Sequence, residues 1–446
     1  MPTFVPSGLA AAVRVASSRL VRLTRDQVES ARARWQSEIK APARETASQT
    51  ARGPLAGIKV FDLSRVLAGP TCTMLLGDMG AEVIKVERPE AGDDTRQWGP
   101  PFVGSESTYY LSCNRNKKSI TLNLKSERGQ QIAAALAGQS DVLVENLLPG
   151  TLDKFGLGYD ALKARNPGLI YCSITGFGQN GPYRDRPGYD LLVQAMGGVM
   201  SITGEPDGEP MKVGVAISDI TSGLYATTAI VAALAARNRT GVGERIDISL
   251  LDSTVSWLAN VGSEYLMTGQ RPERHGNAHA SIVPYQAFKT ADRYIVIAVG
   301  NDGQWARFCR AIERPDLAAD ERFGTNPLRV EHRDVLIPML EQLFATRPAT
   351  DWLTRLERAD VPAAPVNALD DVFADPQVRA RQMLLAAPHR ALGTVRMANS
   401  PLKFNSQTEP PRTAPPALGQ HTDEVLHERL RLSRAEIQAL RKDGVL

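Results

Sequence analysis

The chain has 446 residues, of which 43% are hydrophobic and 23% charged, with a net charge of +3; that is the make-up of a soluble globular protein too long for one core, and it implies two or three domains. Nine basic residues against four acids fall within 1–53, so the remainder is slightly acidic, and without a basic stripe interleaved with aromatics no nucleic-acid partner is expected. The four cysteines are widely spaced and the six histidines scattered, which argues against a metal site or a disulfide framework and fits a reducing compartment.

Residues 1–53 are an N-terminal extension. Before Asp26 it carries no acid, and Arg14, Arg19, Arg22 and Arg25 alternate with serines and apolar residues such as Val13, Val15 and Leu20. That is the composition of a mitochondrial presequence, so the matrix is the expected location for a eukaryotic source and the cytoplasm otherwise.

From 54 onward, strands are predicted over 58–63, 82–87, 119–124, 141–145 and 169–174, with helices over 71–79 and 127–137 between them. This alternation makes an α/β fold around a mostly parallel sheet, with ligands at the carboxyl ends of the strands. The first turn lacks G-x-G-x-x-G, so the backbone offers no usual seat for a dinucleotide pyrophosphate, and an NAD or FAD enzyme is disfavoured. Next comes Gly214-Val215-Ala216-Ile217-Ser218-Asp219-Ile220-Thr221-Ser222-Gly223, ahead of an Ala-rich run over 224–236. The run predicts a largely buried helix broken at Arg237-Asn238-Arg239, so it is too short to span a membrane and no membrane partner is expected. Asp219, at its N-terminal end, has two readings: a helix cap, or an ionised carboxylate held by the helix dipole for use as a nucleophile.

A strand over 244–250 and one helix over 251–267 follow. A Pro/Gly/Asn/His-rich stretch, 270–281, marks a boundary. A hairpin over 285–289 and 294–299, then helices over 304–312 and 335–344, predict a smaller α+β domain. The chain closes with a Pro-rich connector, 409–416, and two helices, the second with a capping box from Ser433 to Glu436.

Several runs together resemble the class III CoA-transferases: PLAGIKVFDLSRVLAGP (54–70), GDMGAEVIKVERPEAGDDTR (77–96), NRNKKSITLNLK (114–125), DVLVENLLPGTLDKFGLGY (141–159), SITGFGQNGP (173–182), GYDLLVQAMGG (188–198), the Asp219 stretch and LGQHTDEVL (418–426). The likeness covers 54–445. It implies a Rossmann-like large domain built from both chain ends (54–276 and 371–446), a small inserted domain (277–370), and a homodimer of two interlocked protomers. It also implies that Asp219 carries the acyl group covalently. By position, contacts to coenzyme A fall on Leu67 and Ala68 (backbone), Arg88, Leu122, Lys125, Asn146, Lys154 and Tyr189. CoA enters as a substrate, and no permanently bound cofactor is implied.

Within the family, GDDTRQWGPPFVGSESTYYLSCNRNKKSI (92–120) and HGNAHASIVPYQAF (275–288) are similar to the members acting on succinyl-CoA and glutarate. Where formyl-CoA transferase has four glycines, this chain has Gly276, Asn277, Ala278, His279, Ala280 and Ser281, so a formyl or oxalyl group is not expected. Gly276, Asn277 and His279 become candidates for a substrate loop that excludes water and offers backbone N–H donors. The cluster Arg115, Asn116, Lys117, Lys118 reads either as a site for a second carboxylate or as an exposed turn. Transfer of CoA between carboxylic acids needs only a nucleophile able to hold an acyl group, and an aspartate of ordinary pKa is almost wholly ionised at pH 7. Two alternatives remain on the same residues. One is an α-methylacyl-CoA racemase, whose histidine base would fall at Tyr189, a poor base at neutral pH; the other is a CoA-binding protein without turnover.

Overall fold

The computed structural model describes residues 53–404 and 412–446. The expected presequence and the start of the Pro-rich connector lie outside them. Six strands form the central sheet: β1 (Lys59–Asp62), β2 (Glu82–Glu87), β3 (Lys117–Thr121), β4 (Val142–Glu145), β5 (Ile170–Thr175) and β6 (Arg245–Ser249), in the order β3-β2-β1-β4-β5-β6. Every pairing is parallel. This is the doubly wound order, whose direction reverses between β1 and β4 and opens a crevice at their carboxyl ends.

Both faces of the sheet are covered, which is why its strands read as near-continuous apolar runs. Helices α1 (Ala68–Asp78) and α3 (Ile217–Thr240) bury Cys72, Leu76, Ala226 and Ile230 against Val60, Val142, Val144 and Cys172. On the other face α2 (Glu127–Gly138) and the C-terminal residues Val425, Leu426, Ile437 and Leu440 pack on Phe61, Ile84 and Leu143. The C-terminal segment is also tied to β3 by backbone bonds, with His421 N–H donating to the Ser119 carbonyl at 2.9 Å. The terminal capping box between Ser433 and Glu436 is formed.

Helix α3 corrects one expectation. It continues through Arg237, Asn238 and Arg239 to Thr240, 24 residues in all. Its last-turn arginines suit the negative end of the helix dipole, so they prolong the helix instead of breaking it. By length and apolarity it reaches what a membrane crossing needs, and 39% of that window is buried within this chain. Gly223 lets it cross α1 closely, since a Cβ there would stand 2.7 Å from the Ala68 carbonyl oxygen.

The single helix expected over 251–267 is two, Leu250–Ser256 and Ala259–Thr268, broken where Ala259 adopts φ +41°. The predicted hairpin forms over Tyr285–Lys289 and Tyr294–Ala298, and a third strand, Ala363–Pro365, joins it. Around it Phe288, Ile295, Trp305, Phe308, Leu340, Phe344 and Trp352 enclose a core of their own. A further hairpin, Leu384–His389 with Gly393–Ala398, was not anticipated, because its Ala/Pro-rich first strand carries little β signal.

Candidate active site

The loop after β1 is held from below by buried charges. Lys85 Nζ lies 2.9 Å from Asp93 and donates to the Ser64 carbonyl at 2.8 Å. Lys117 Nζ donates to Asp62 at 3.2 Å and to the Pro70 carbonyl at 2.9 Å. Asp62 in turn accepts from the Ser64 N–H and the Thr73 hydroxyl. Burial pushes the Asp62 carboxyl up, but Lys117, Lys85 and the Ser64 and Thr73 hydroxyls outweigh it and hold it below the ordinary range. So anchored, the loop keeps Val66 at φ +68°, a costly conformation for a β-branched residue. It feeds directly into α1, whose first turn has no side-chain cap. The turn thus lacks a side-chain acceptor for its free N–H groups, and its Leu67 and Ala68 line the crevice.

Asn146 closes the crevice from β4. Its side-chain oxygen accepts from the Arg65 N–H at 2.8 Å and its amide donates to the Arg65 carbonyl at 2.7 Å. It thus acts on the loop after β1. Across from it, Gly176 and Gly188 cross backbone on backbone, since a Cβ on Gly176 would stand 2.5 Å from the Gly188 Cα. That crossing seats Tyr189, 59% exposed, over the end of β5.

Arg65, Leu67, Ala68, Asn146, Arg186, Tyr189 and Asp219 line one cavity of about 170 Å³. Arg88, Leu122 and Lys125 line a second, of about 780 Å³, together with Arg441. Arg65 and Leu147 belong to both walls. Lys154 lines neither and is exposed on a short turn. Gly276, Asn277 and His279 likewise line neither: Gly276 donates its N–H to the Gly204 carbonyl at 3.0 Å, and its Cα packs beside Glu205. The cluster at 115–118 is structural: it begins β3 at the amino end of the strands, and only the Lys117 side chain reaches to the loop after β1. Arg115 is buried on Asp78 at 2.8 Å and Lys117 on Asp62, while Lys118 pairs with Glu424 at 2.6 Å.

Asp219 occupies the first turn of α3, yet it does not cap it. Asp190 does, with one oxygen accepting from the Ser218 N–H at 2.8 Å and the Asp219 N–H at 3.4 Å. The Asp219 carboxylate has no hydrogen bond among the described residues. Burial first, and the neighbouring Asp190 charge second, push it up to about 7. The expectation of a fully ionised aspartate is thereby corrected: the helix N–H groups that would stabilise its charge are spent on Asp190. A carboxylate poised near neutrality in a crevice is a functional-site signature. Tyr109 also faces it, with burial and then the Asp219 charge raising its hydroxyl. Asp190, Tyr109 and Arg186 carried no sequence signal as site residues, because only the fold brings their segments to Asp219.

The CoA-transferase family III model matches residues 55–422. A succinyl-CoA:glutarate CoA-transferase of Mus musculus is 48% identical over 393 residues, 88% of this chain and 90% of its own length. A succinate–glutarate CoA-transferase of Agrobacterium fabrum is 46% identical over 388 residues, 84% of this chain and 95% of its own. Among solved structures, a CAIB/BAIF family protein from Brucella suis superimposes with a TM-score of 0.78 at 46% identity, covering 85% of this chain and all of that one.

The raised Asp219 carboxyl has a thermodynamic signature. A folded-state value near 7 against an ordinary 3.8 means that the folded chain binds the proton more tightly, so stability falls as pH rises through that window. The full shift corresponds to about 4 kcal/mol, and solvent in the open cavity reduces it to roughly 1–2 kcal/mol. Asp219→Asn should therefore melt above the unsubstituted chain at pH 8, with the gap closing near pH 4. A cap would instead make the replacement nearly silent, because Asn caps about as well as Asp, and thermal melts across that range check the difference.

Proposed function

This chain belongs to CoA-transferase family III and is a CoA-transferase, and we propose that it moves CoA from succinyl-CoA to a dicarboxylate such as glutarate through a covalent intermediate on Asp219. The observation that carries the reading is the Asp219 carboxylate itself, relieved of capping by Asp190 and lining a cavity that shares a wall with one large enough for a nucleotide. The names of the Mus musculus and Agrobacterium fabrum relatives support the choice of acids.

In the proposed sequence an Asp219 oxygen attacks the acyl-CoA carbonyl, a C–O bond forms, the C–S bond breaks and CoA thiolate leaves a mixed anhydride. The thiolate then attacks the Asp219 carbonyl carbon, releasing the donor acid and leaving an aspartyl-CoA thioester. The acceptor carboxylate displaces the thiolate to form a second anhydride. Thiolate attack on its acceptor-derived carbonyl yields the new acyl-CoA and frees Asp219. The uncapped first turn of α1, at Leu67 and Ala68, supplies N–H donors to the charge developing on the carbonyl oxygen. Arg88 and Lys125 attract the phosphates of CoA in the larger cavity, and Tyr189 borders the thioester end. A racemase is disfavoured because no histidine lines the Asp219 cavity among the described residues.

Purified protein with succinyl-CoA and glutarate should yield glutaryl-CoA and succinate by mass spectrometry, with the acid side of kcat/KM governed by a group near pH 7. Asp219→Asn should fold, bind CoA and lose turnover by about 10³-fold or more, the scale on which removing a nucleophile acts. Hydroxylamine added to the unsubstituted enzyme with acyl-CoA should convert Asp219 to its hydroxamate, releasing CoA or the acid from the activated aspartyl group. An Asn variant with near-normal turnover would sink the mechanism, and CoA binding with no transfer to any diacid would leave a binding protein.

The resemblance to a homodimeric family and the exposed apolar side chains of α3 and of the helix Ala259–Thr268 support one further element of the reading. Leu224 (45% exposed), Tyr225 (42%), Leu266 (83%) and Met267 (85%) leave apolar area uncovered, more than an isolated chain ordinarily shows to water. The occupant we assign is a second copy in the interlocked arrangement. Sedimentation at micromolar concentration should report twice the chain mass, and a monomer would refute this. For residues 1–53 the assignment is a presequence: fused to a fluorescent reporter in eukaryotic cells they should direct it to mitochondria, whereas a diffuse signal would reduce them to an extension.

A further inference from the structure

The Asp219 cavity contains two cations among the described residues, Arg65 and Arg186. Arg65 is engaged, its guanidinium 3.2 Å from Asp94. Arg186 is different. It has no ion pair and no side-chain hydrogen bond among the described residues, and the adjacent acid, Asp185, sits with Arg184. What holds Arg186 is the ring of Tyr183, with the guanidinium carbon 4.0 Å from the ring centroid. A guanidinium stacked in this way spends its face on the ring and keeps its in-plane N–H donors, the fork that matches a carboxylate in bidentate fashion.

Its position separates it from the phosphates of CoA. Arg88, Lys125 and Arg441 belong to the larger cavity, Arg65 to the wall between the two, and Arg186 only to the Asp219 side. A ligand with its reacting carboxyl at Asp219 and a second carboxylate at its far end would meet one unpaired cation there. We propose that Arg186 reads the distal carboxylate of the dicarboxylic acid, and so sets the preference for diacids over monoacids. This rests on the CoA-transfer activity proposed above.

The test compares acceptors at saturating succinyl-CoA: glutarate, and pentanoate, which has the same chain length without the distal carboxylate. In a double-displacement reaction kcat/KM for the acceptor reports only the acceptor half, so the ratio of the two isolates the distal group. Arg186→Gln should lower that ratio by about 10- to 100-fold, mostly through the KM of glutarate, as expected for loss of a charged hydrogen-bond partner. Arg186→Lys should recover part of the loss, because it keeps the charge without the fork. Both variants should melt and bind CoA as the unsubstituted chain does. If the unsubstituted chain prefers glutarate and Arg186→Gln keeps that preference, the assignment of Arg186 fails while the activity stands. If the unsubstituted chain moves CoA to pentanoate but to no diacid, the proposed choice of acids fails and this assignment falls with it.

Discussion

Everything at the crevice depends on a set of charges with almost no access to water. Lys85, Lys117, Asp62 and Asp93 are buried beneath the loop that joins β1 to α1. Taking four such groups out of water is expensive, and their attraction repays it only where geometry and extra hydrogen bonds are good. Here the extra bonds go to backbone: Lys85 to the Ser64 carbonyl, Lys117 to the Pro70 carbonyl, and Asp93 from the Val66 N–H. The network therefore acts as a clamp on one loop conformation, including the strained Val66, more than as a source of net stability. Losing either lysine would leave a buried carboxylate unpaired and release the loop that presents Leu67 and Ala68.

A second constraint is the division of labour between two aspartates. A helix N-terminus attracts a carboxylate, and one that caps has its lone pairs committed to N–H groups and its charge stabilised. By bringing Asp190 from another element to cap α3, the fold leaves Asp219 with free oxygens, a like charge nearby and a pKa near neutrality. The consequence is a more basic carboxylate that stands open to a substrate. That basicity comes at the expense of folded-state stability above neutral pH.

The sheet has the strand order of dinucleotide-binding folds without their glycine fingerprint. The reason lies in the same crevice. In the glycine-rich version the backbone itself approaches a pyrophosphate at the first turn. Here that turn is filled by Ser64, Arg65 and Val66, pinned by Asn146 and the buried lysines, and the larger cavity lies to one side among Arg88, Leu122 and Lys125.

Local signals carried much of the fold. Short apolar runs located the strands of the parallel sheet, turn signals the small region's hairpin, and a Ser/Glu pair the final capping box, because each is set by residues close in sequence. The sequence also singled out Asp219 and joined it to Tyr189, Asn146 and the loop at Leu67. Where it misjudged, the deciding contact was distant. Arg237 to Arg239 continue α3 because their place at its end suits the dipole, and Arg115 to Lys118 are consumed by Asp78, Asp62 and Glu424 instead of facing substrate. The ionisation of Asp219, the cap supplied by Asp190 and the unpaired state of Arg186 were decided only by the tertiary structure. Charge state and hydrogen-bond commitment depend on what the chain brings within a few ångströms, and no spacing of residues along the sequence encodes that.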